Sequence, residues 1–193
     1  MIAIIPARAG SKRIPGKNTK PFKGVPLLSR TIQLAQESKL FDEVIVSSES
    51  ETILALARID GAEAYMRPEE LATDEADTEC VLLDVLDHHP ATDCICCIYC
   101  AAGIFITPQI LRDAYQRFAK WYQPIGQHLI SYLREGRDAG QFYFLNADIL
   151  RAQYAQGVEI LQQKHRRYYV DAIDINTPEE WAQAEEWWEE HRA

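Results

Sequence analysis

Short apolar runs alternate with stretches of helical periodicity along this chain of 193 residues, and that alternation constrains the fold more than any other feature. Ile2-Ala3-Ile4-Ile5 reads as a strand buried on both faces, and so does Glu43–Ser47. Between them, Leu28, Thr31, Ile32 and Ala35 recur at helical spacing over 26–38. Ser48 and Glu51 predict a capping box for a helix through Ile59, closed by Gly61. A third short strand is expected over 62–66, an acidic loop from Arg67 to Asp77, a helix over 78–88 and a strand over 93–99. Thr107-Pro108 opens another helix, with Ile110, Leu111, Ala114 and Phe118 on one face. Residues 127–133 and 141–145 alternate as strands, a helix starts near Ala147, and 168–173 is read as a last strand. Thr177-Pro178-Glu179-Glu180 caps a closing helix that puts Trp181, Ala184 and Trp188 on one face. Strands that alternate with helices require a mostly parallel sheet with helices on both faces, here an α/β, Rossmann-like domain. No linker, repeat or low-complexity tract interrupts 1–193, so a single domain is expected.

The loop after the first strand carries the densest charge. Arg8, Lys12, Arg13, Lys17, Lys20, Lys23 and Arg30 precede the first acid, Glu37, although the chain holds 29 acids against 20 bases. A cationic island on an acidic protein suits a small anionic ligand better than nucleic acid. Gly10 and Ser11 would let a phosphate approach the backbone N–H groups. Charge alone fits a solvated loop equally well; the buried strand feeding the loop favours a phosphate cradle. Ligands of such sheets bind beyond the carboxyl ends of the strands, which is where this loop falls. Neither a Walker A nor a GxGxxG pattern is present.

The string PARAGSKRIPGKN, Pro6 to Asn18, resembles the opening signature of the cytidylyltransferases that activate nonulosonic acids, the CMP-sialic and CMP-pseudaminic acid synthetases. The resemblance implies a nucleotidyltransferase domain in which Arg8, Gly10, Ser11, Lys12 and Lys17 hold the triphosphate of CTP. It places Asn18 near the nucleoside, together with Arg67 of an RPxxLA-like segment. Arg67 by itself reads as a surface arginine. Ser47-Ser48-Glu49 stands where the family has an acidic residue after two small ones, and no role is assigned to it.

Asp171 and Asp174 close the strand read over 168–173, and carboxylates at a strand end suit Mg2+, although an Asp near a helix start also suits the helix dipole. The segment resembles the family's DIDTPEDW, which implies Asp174 as the Mg2+ ligand and as a catalytic residue with Arg8 and Lys17. The second Asp of the motif is Asn176 here. Strand periodicity would put Asp174 and Asn176 on one face at the metal and Asp171 on the other. Asp138 to Tyr143 resembles the DAGQFY segment of the pseudaminic-type branch, which implies Gln141 at the acceptor sugar. A YPTAPF-like turn is replaced by Tyr99–Phe105, and the stretch from Thr107 to Asp138, part of which pairs subunits in the family, is short; a homodimer stays open. The preferred activity is Mg2+-dependent transfer of CMP from CTP to a nonulosonic acid. The rival is a nucleotide-binding homologue that has lost turnover through these departures.

Cys80, Cys94, Cys96, Cys97 and Cys100 fit no zinc spacing and read as buried reduced thiols. No apolar run approaches the roughly 18 residues of a membrane span, and no export signal is seen, so no membrane partner and a cytoplasmic location are expected.

Overall fold

The computed structural model describes residues 1–73, 75–89, 93–125 and 127–192, without the side chains of 121–125 and 192. In chain order the elements are β1 (Ile2–Pro6), β2 (Pro21–Phe22), β3 (Val25–Pro26), α1 (Leu27–Ser38), β4 (Glu43–Ser48), α2 (Glu51–Ile59), β5 (Glu63–Met66) and α3 (Thr78–His88). There follow β6 (Cys94–Ile98), α4 (Ala102–Phe105), α5 (Pro108–Ile125), β7 (His128–Tyr132), β8 (Asp138–Asn146), α6 (Ala147–Tyr154), β9 (His165–Tyr169) and α7 (Pro178–Arg192). Within the acidic loop expected over 67–77, Glu69–Ala72 forms a 3-10 turn and position 74 lies outside the described residues.

Seven strands form one sheet in the order β5-β4-β1-β6-β8-β7-β9. The pairs β1–β4, β1–β6, β4–β5 and β7–β9 are parallel, and β8 runs against both of its neighbours. The N-terminal end of β8 therefore lies on the same sheet edge as the carboxyl ends of the other strands. Alternate strand residues feed two cores. Ala3, Ile5, Val44, Val46, Cys96 and Phe144 pack with α1, α2, α4, α5 and α7, whereas Ile2, Ile4, Ile45, Ile95, Cys97 and Leu145 pack with α3 and α6. Helices on both faces explain why these strands are apolar without polar alternation. Cys96 and Cys97 fall on opposite faces, as a strand requires, and all five cysteines are free thiols.

Two local expectations are corrected, and the departure over 99–105 takes a definite shape. The capping box at Ser48 does not form: Ser50 is the N-cap residue of α2, Ser48 Oγ accepts from Ser50 N–H, and Glu51 pairs with Arg58. The segment 99–105 folds as a tight turn into α4, where Gly103 packs against the α1 backbone. A Cβ at Gly103 would lie 2.6 Å from the Arg30 carbonyl carbon. The last strand lies earlier than its apolar pattern suggests, over 165–169, and Val170 N–H makes one more bond, to Tyr132 O. Residues 171–176 then leave the sheet and cross its carboxyl edge.

Candidate active site

Where β1 ends, the chain turns outward and is tied back at several points. Asn18 is buried; its Nδ2 donates to Arg8 O at 2.8 Å, and Leu28 N–H donates to Asn18 O. Beneath the loop, the β2–β3 hairpin packs Phe22 edge-on to Trp181 and Trp188 of α7, with centroids 5.5 and 5.8 Å apart. Lys20 Nζ lies 4.2 Å over the Trp181 ring. The basic loop is thus part of the tertiary structure and not a solvated excursion.

Glu49, given no role from sequence, organises the loop. Its Oε1 accepts from Ala9 N–H at 2.7 Å and its Oε2 from Arg67 NH2 at 2.8 Å. Arg67, which by itself reads as a surface arginine and which the resemblance places at the nucleoside, is only 4% exposed. Burial pushes the Glu49 carboxyl up, but the Ala9 N–H and the Arg67 guanidinium more than offset it and hold the carboxyl below its ordinary range. A lone glutamate after two serines carries no periodic or spacing signal, so only the fold could reveal this role.

A cavity of about 390 Å3 opens at the carboxyl edge. Arg8, Lys17, Asn18 and Arg67 line it together with Asp138, Gly140, Tyr143, Asp174 and Asn176. Cations and carboxylates from four separate stretches of sequence therefore share one wall system. A second recess, beside it, is lined by Arg8, Ser11, Lys12, Arg13, Lys17, Asn18 and Asn176. Gly10 is exposed in the loop, and Ser11 N–H turns inward to Ala9 O at 2.9 Å. That inward bond corrects the expectation that the Ser11 N–H faces a phosphate in this conformation. Side-chain cations dominate the recess.

Lys17 is half-buried, and its Nζ donates to Ile175 O at 2.7 Å. Burial lowers its proton affinity; Asp174 and Cys100 act against that, while Arg13 and Arg8 add to it. Asp174 shows the mirror image: burial raises its carboxyl, the Asn176 side chain and Lys17 pull it down, and Glu180 and Asp138 push it up. Each of the two is thus desolvated more than its neighbours compensate. An arriving anion and an arriving cation would relieve the two ends in turn.

The segment 171–176 is held by side chains in place of strand partners. Gln141 Nε2 donates to Ala139 O at 2.8 Å and to Ile173 O at 3.4 Å, Lys17 takes Ile175 O, and Glu180 Oε2 accepts from the N–H groups of Asn176 and Thr177. The capping box at Thr177 and Glu180 forms as expected, with Glu180 N–H donating to Thr177 Oγ1. Asp174 and Asn176 line the cavity together, while Asp171 does not; it lines an adjoining recess with Arg134 and Arg137, to which Asp174 also contributes. Strand periodicity does not account for that shared facing, since neither belongs to a strand. Gln141, expected at the acceptor, is fully buried and braces this segment from behind the cavity wall; its neighbours Asp138, Gly140 and Tyr143 reach the cavity instead.

These features match one family across almost the whole chain, the cytidylyltransferase family, over residues 2–184. The chain belongs to it. Pseudaminic acid cytidylyltransferase of Campylobacter jejuni serotype O:2 is 39% identical over 122 residues, which are 61% of this chain and 52% of that protein. This family member therefore spans about half the length of that relative. A CMP:2-keto-3-deoxy-manno-octonic acid synthetase solved with CTP superposes with a TM-score of 0.77 at 17% identity, covering 98% of both chains. A Mycobacterium tuberculosis protein, Rv0371c, solved with manganese, gives 0.65 at 18% identity over 96% of this chain and 98% of that one. At those identities the two structures establish the fold.

The donors on the cavity wall fit a divalent cation. A Cβ at Gly140, which holds φ +57°, would lie 3.2 Å from Asp174 Oδ1, so only glycine leaves the carboxylate its place. Among the described residues no group of three or more His, Cys, Asp or Glu could hold a metal unaided. A divalent cation here would have to complete its shell with substrate phosphates and water. Among the described residues no helix is long and apolar enough to cross a membrane.

Proposed function

We propose that the protein transfers CMP from CTP to the anomeric hydroxyl of a nonulosonic acid of the sialic or pseudaminic kind. The observation that carries this reading is the polarity of the cavity, with Arg8, Lys17 and Arg67 set against Asp174 and Asn176 within one space of about 390 Å3. The hydroxyl oxygen of the acid attacks the α-phosphorus. The bond from that phosphorus to the β-bridging oxygen breaks, pyrophosphate leaves, and the hydroxyl proton passes to solvent.

Arg8, Lys17 and Lys12 bind and orient the triphosphate, and Arg8 and Lys17 offset the charge that grows on the leaving pyrophosphate. Asn18 and Arg67 set the nucleoside end, with Glu49 fixing the Arg67 guanidinium. Asp174 and the amide oxygen of Asn176 would hold Mg2+, which when bound neutralises charge on the triphosphate. Fixing both reactants in one cavity converts an encounter into a positioned reaction, the main task of a protein in phosphoryl chemistry.

Pyrophosphate release tests the reading, with CTP, Mg2+ and a panel of nonulosonic acids. Release with at least one acid, greater with CTP than with UTP or ATP, is expected. Asn176, an amide in place of a carboxylate, favours a second reading, a nucleotide-binding homologue without turnover. CTP binding without pyrophosphate from any acid would establish that second reading over the first.

A further inference from the structure

Asn176 leaves the metal end of the cavity one carboxylate short of the motif it resembles, yet a second carboxylate faces the same space. Asp138 opens β8, opposite Tyr132 of β7, and lines the cavity with Asp174. It is not a loosely held surface acid. Its Oδ1 accepts from Gly140 N–H at 3.1 Å and its Oδ2 accepts from the Tyr143 hydroxyl. Tyr143 is buried and meets Tyr99 edge-on at 5.3 Å, and the Tyr99 hydroxyl shares a hydrogen with Thr78 Oγ1 at 3.0 Å. The Tyr143 hydroxyl, its ring braced against Tyr99, therefore aims this carboxylate.

Each carboxylate oxygen has two lone pairs. The protein uses one on each oxygen of Asp138, which leaves the carboxylate oriented and still able to bind a cation. The glycine at 140 brings Asp174 against this same segment, with its Oδ1 3.2 Å from where a Cβ would stand. Bringing like charges together in a half-buried wall costs free energy that a bound cation would recover.

We propose that Asp138 is the second carboxylate of the divalent-metal site, acting with Asp174 where position 176 supplies only an amide. The inference rests on the proposed CTP-dependent function, because triphosphate oxygens complete the shell. Sequence hid it: Asp138 lies 36 residues before Asp174, and only the antiparallel course of β8 brings its start to the carboxyl edge.

The test is the rise in melting temperature caused by a fixed, saturating concentration of CTP, followed as Mg2+ is titrated. The readout is the Mg2+ concentration that gives half of the rise, and it needs no turnover. Asp138→Asn should raise that midpoint at least roughly tenfold, since loss of even an outer-sphere partner costs about that much. Adding Asn176→Asp to Asp138→Asn should return the midpoint towards the wild-type value, because the missing charge is restored from the other side. Tyr143→Phe, which keeps the carboxylate and removes its guide, should move the midpoint in the same direction by a smaller factor. An unchanged midpoint in Asp138→Asn, or a raised one that Asn176→Asp does not correct, overturns the proposal while leaving the CTP reading intact. If Asp138→Asn does not fold, an unchanged midpoint in Tyr143→Phe overturns it, and a raised one supports it. A wild-type protein that shows no Mg2+-dependent rise with CTP overturns both.

Discussion

Removing the Glu49 side chain should destabilise the protein more than its position in a loop suggests. Glu49→Ala leaves Arg67 with a side chain 3% exposed and no counter-charge, and it also frees the Ala9 N–H. Breaking a buried pair from one side costs about 3–5 kcal/mol. The lower figure applies here, because the Glu49 side chain is 16% exposed and water can reach the gap. At about 2.1 cal/mol/K of unfolding entropy per residue, a chain of this size loses about 7 °C of melting temperature for about 3 kcal/mol. Calorimetry at pH 7 measures it. Replacing both partners, Glu49→Ala with Arg67→Met, removes the stranded charge and should recover at least half of the loss, though not CTP binding. The pH dependence has a definite sign. The native carboxyl titrates below its ordinary 4.5, so its contribution is complete above that value and is lost as pH falls through the lowered one. A drop below about 2 °C, or a double variant no more stable than the single one, would refute the reasoning.

Lys17→Met should abolish the CTP-induced rise in melting temperature, and in the wild type that rise should shrink as salt increases, because charge–phosphate attraction is screened. An undiminished rise in the variant would place the nucleotide elsewhere. His128 is fully buried, and burial lowers its proton affinity from 6.5. The unfolded chain then binds more protons, so stability is full above pH 6.5 and falls as pH drops towards the lowered native value; His128→Gln should flatten that slope in melting curves. Gly103→Ala should cost about 3 kcal/mol in denaturant unfolding, the upper end for overpacking, because the new methyl meets the backbone of Arg30 and Thr31. A cost within about 0.5 kcal/mol, typical of a tolerant surface site, would show that α1 and α4 are free to part. Alkylation and mass spectrometry of the native protein should find five thiols and no disulfide.

The alternation of apolar runs with helical periods carried the architecture, because strands covered on both faces cannot afford polar residues and helices must turn one face inward. Its reading held for β1, β4, β6 and the helices between them. The cationic loop was equally legible: a run of bases without acids needs no tertiary contact to be seen, and its place after the first strand put it at the carboxyl edge. Where local pattern and tertiary demand diverged, the pattern misled. Apolar Val170, Ala172 and Ile173 resemble a strand, but the ladder ends with Val170 N–H on Tyr132 O, and Ile173 O accepts from the Gln141 side chain as the chain crosses the sheet edge. Gln141 was read as a sugar contact from its neighbours in a motif; it lies buried on Ala139 O and Ile173 O, while Asp138, Gly140 and Tyr143 line the cavity. Glu49 and Asp138 stood in segments that resemble the family, but nothing in the sequence gave either a role. A carboxylate acquires a role from the groups it faces, and those lie 18 residues away at Arg67 and 36 at Asp174, a separation that only the order and direction of the strands can close.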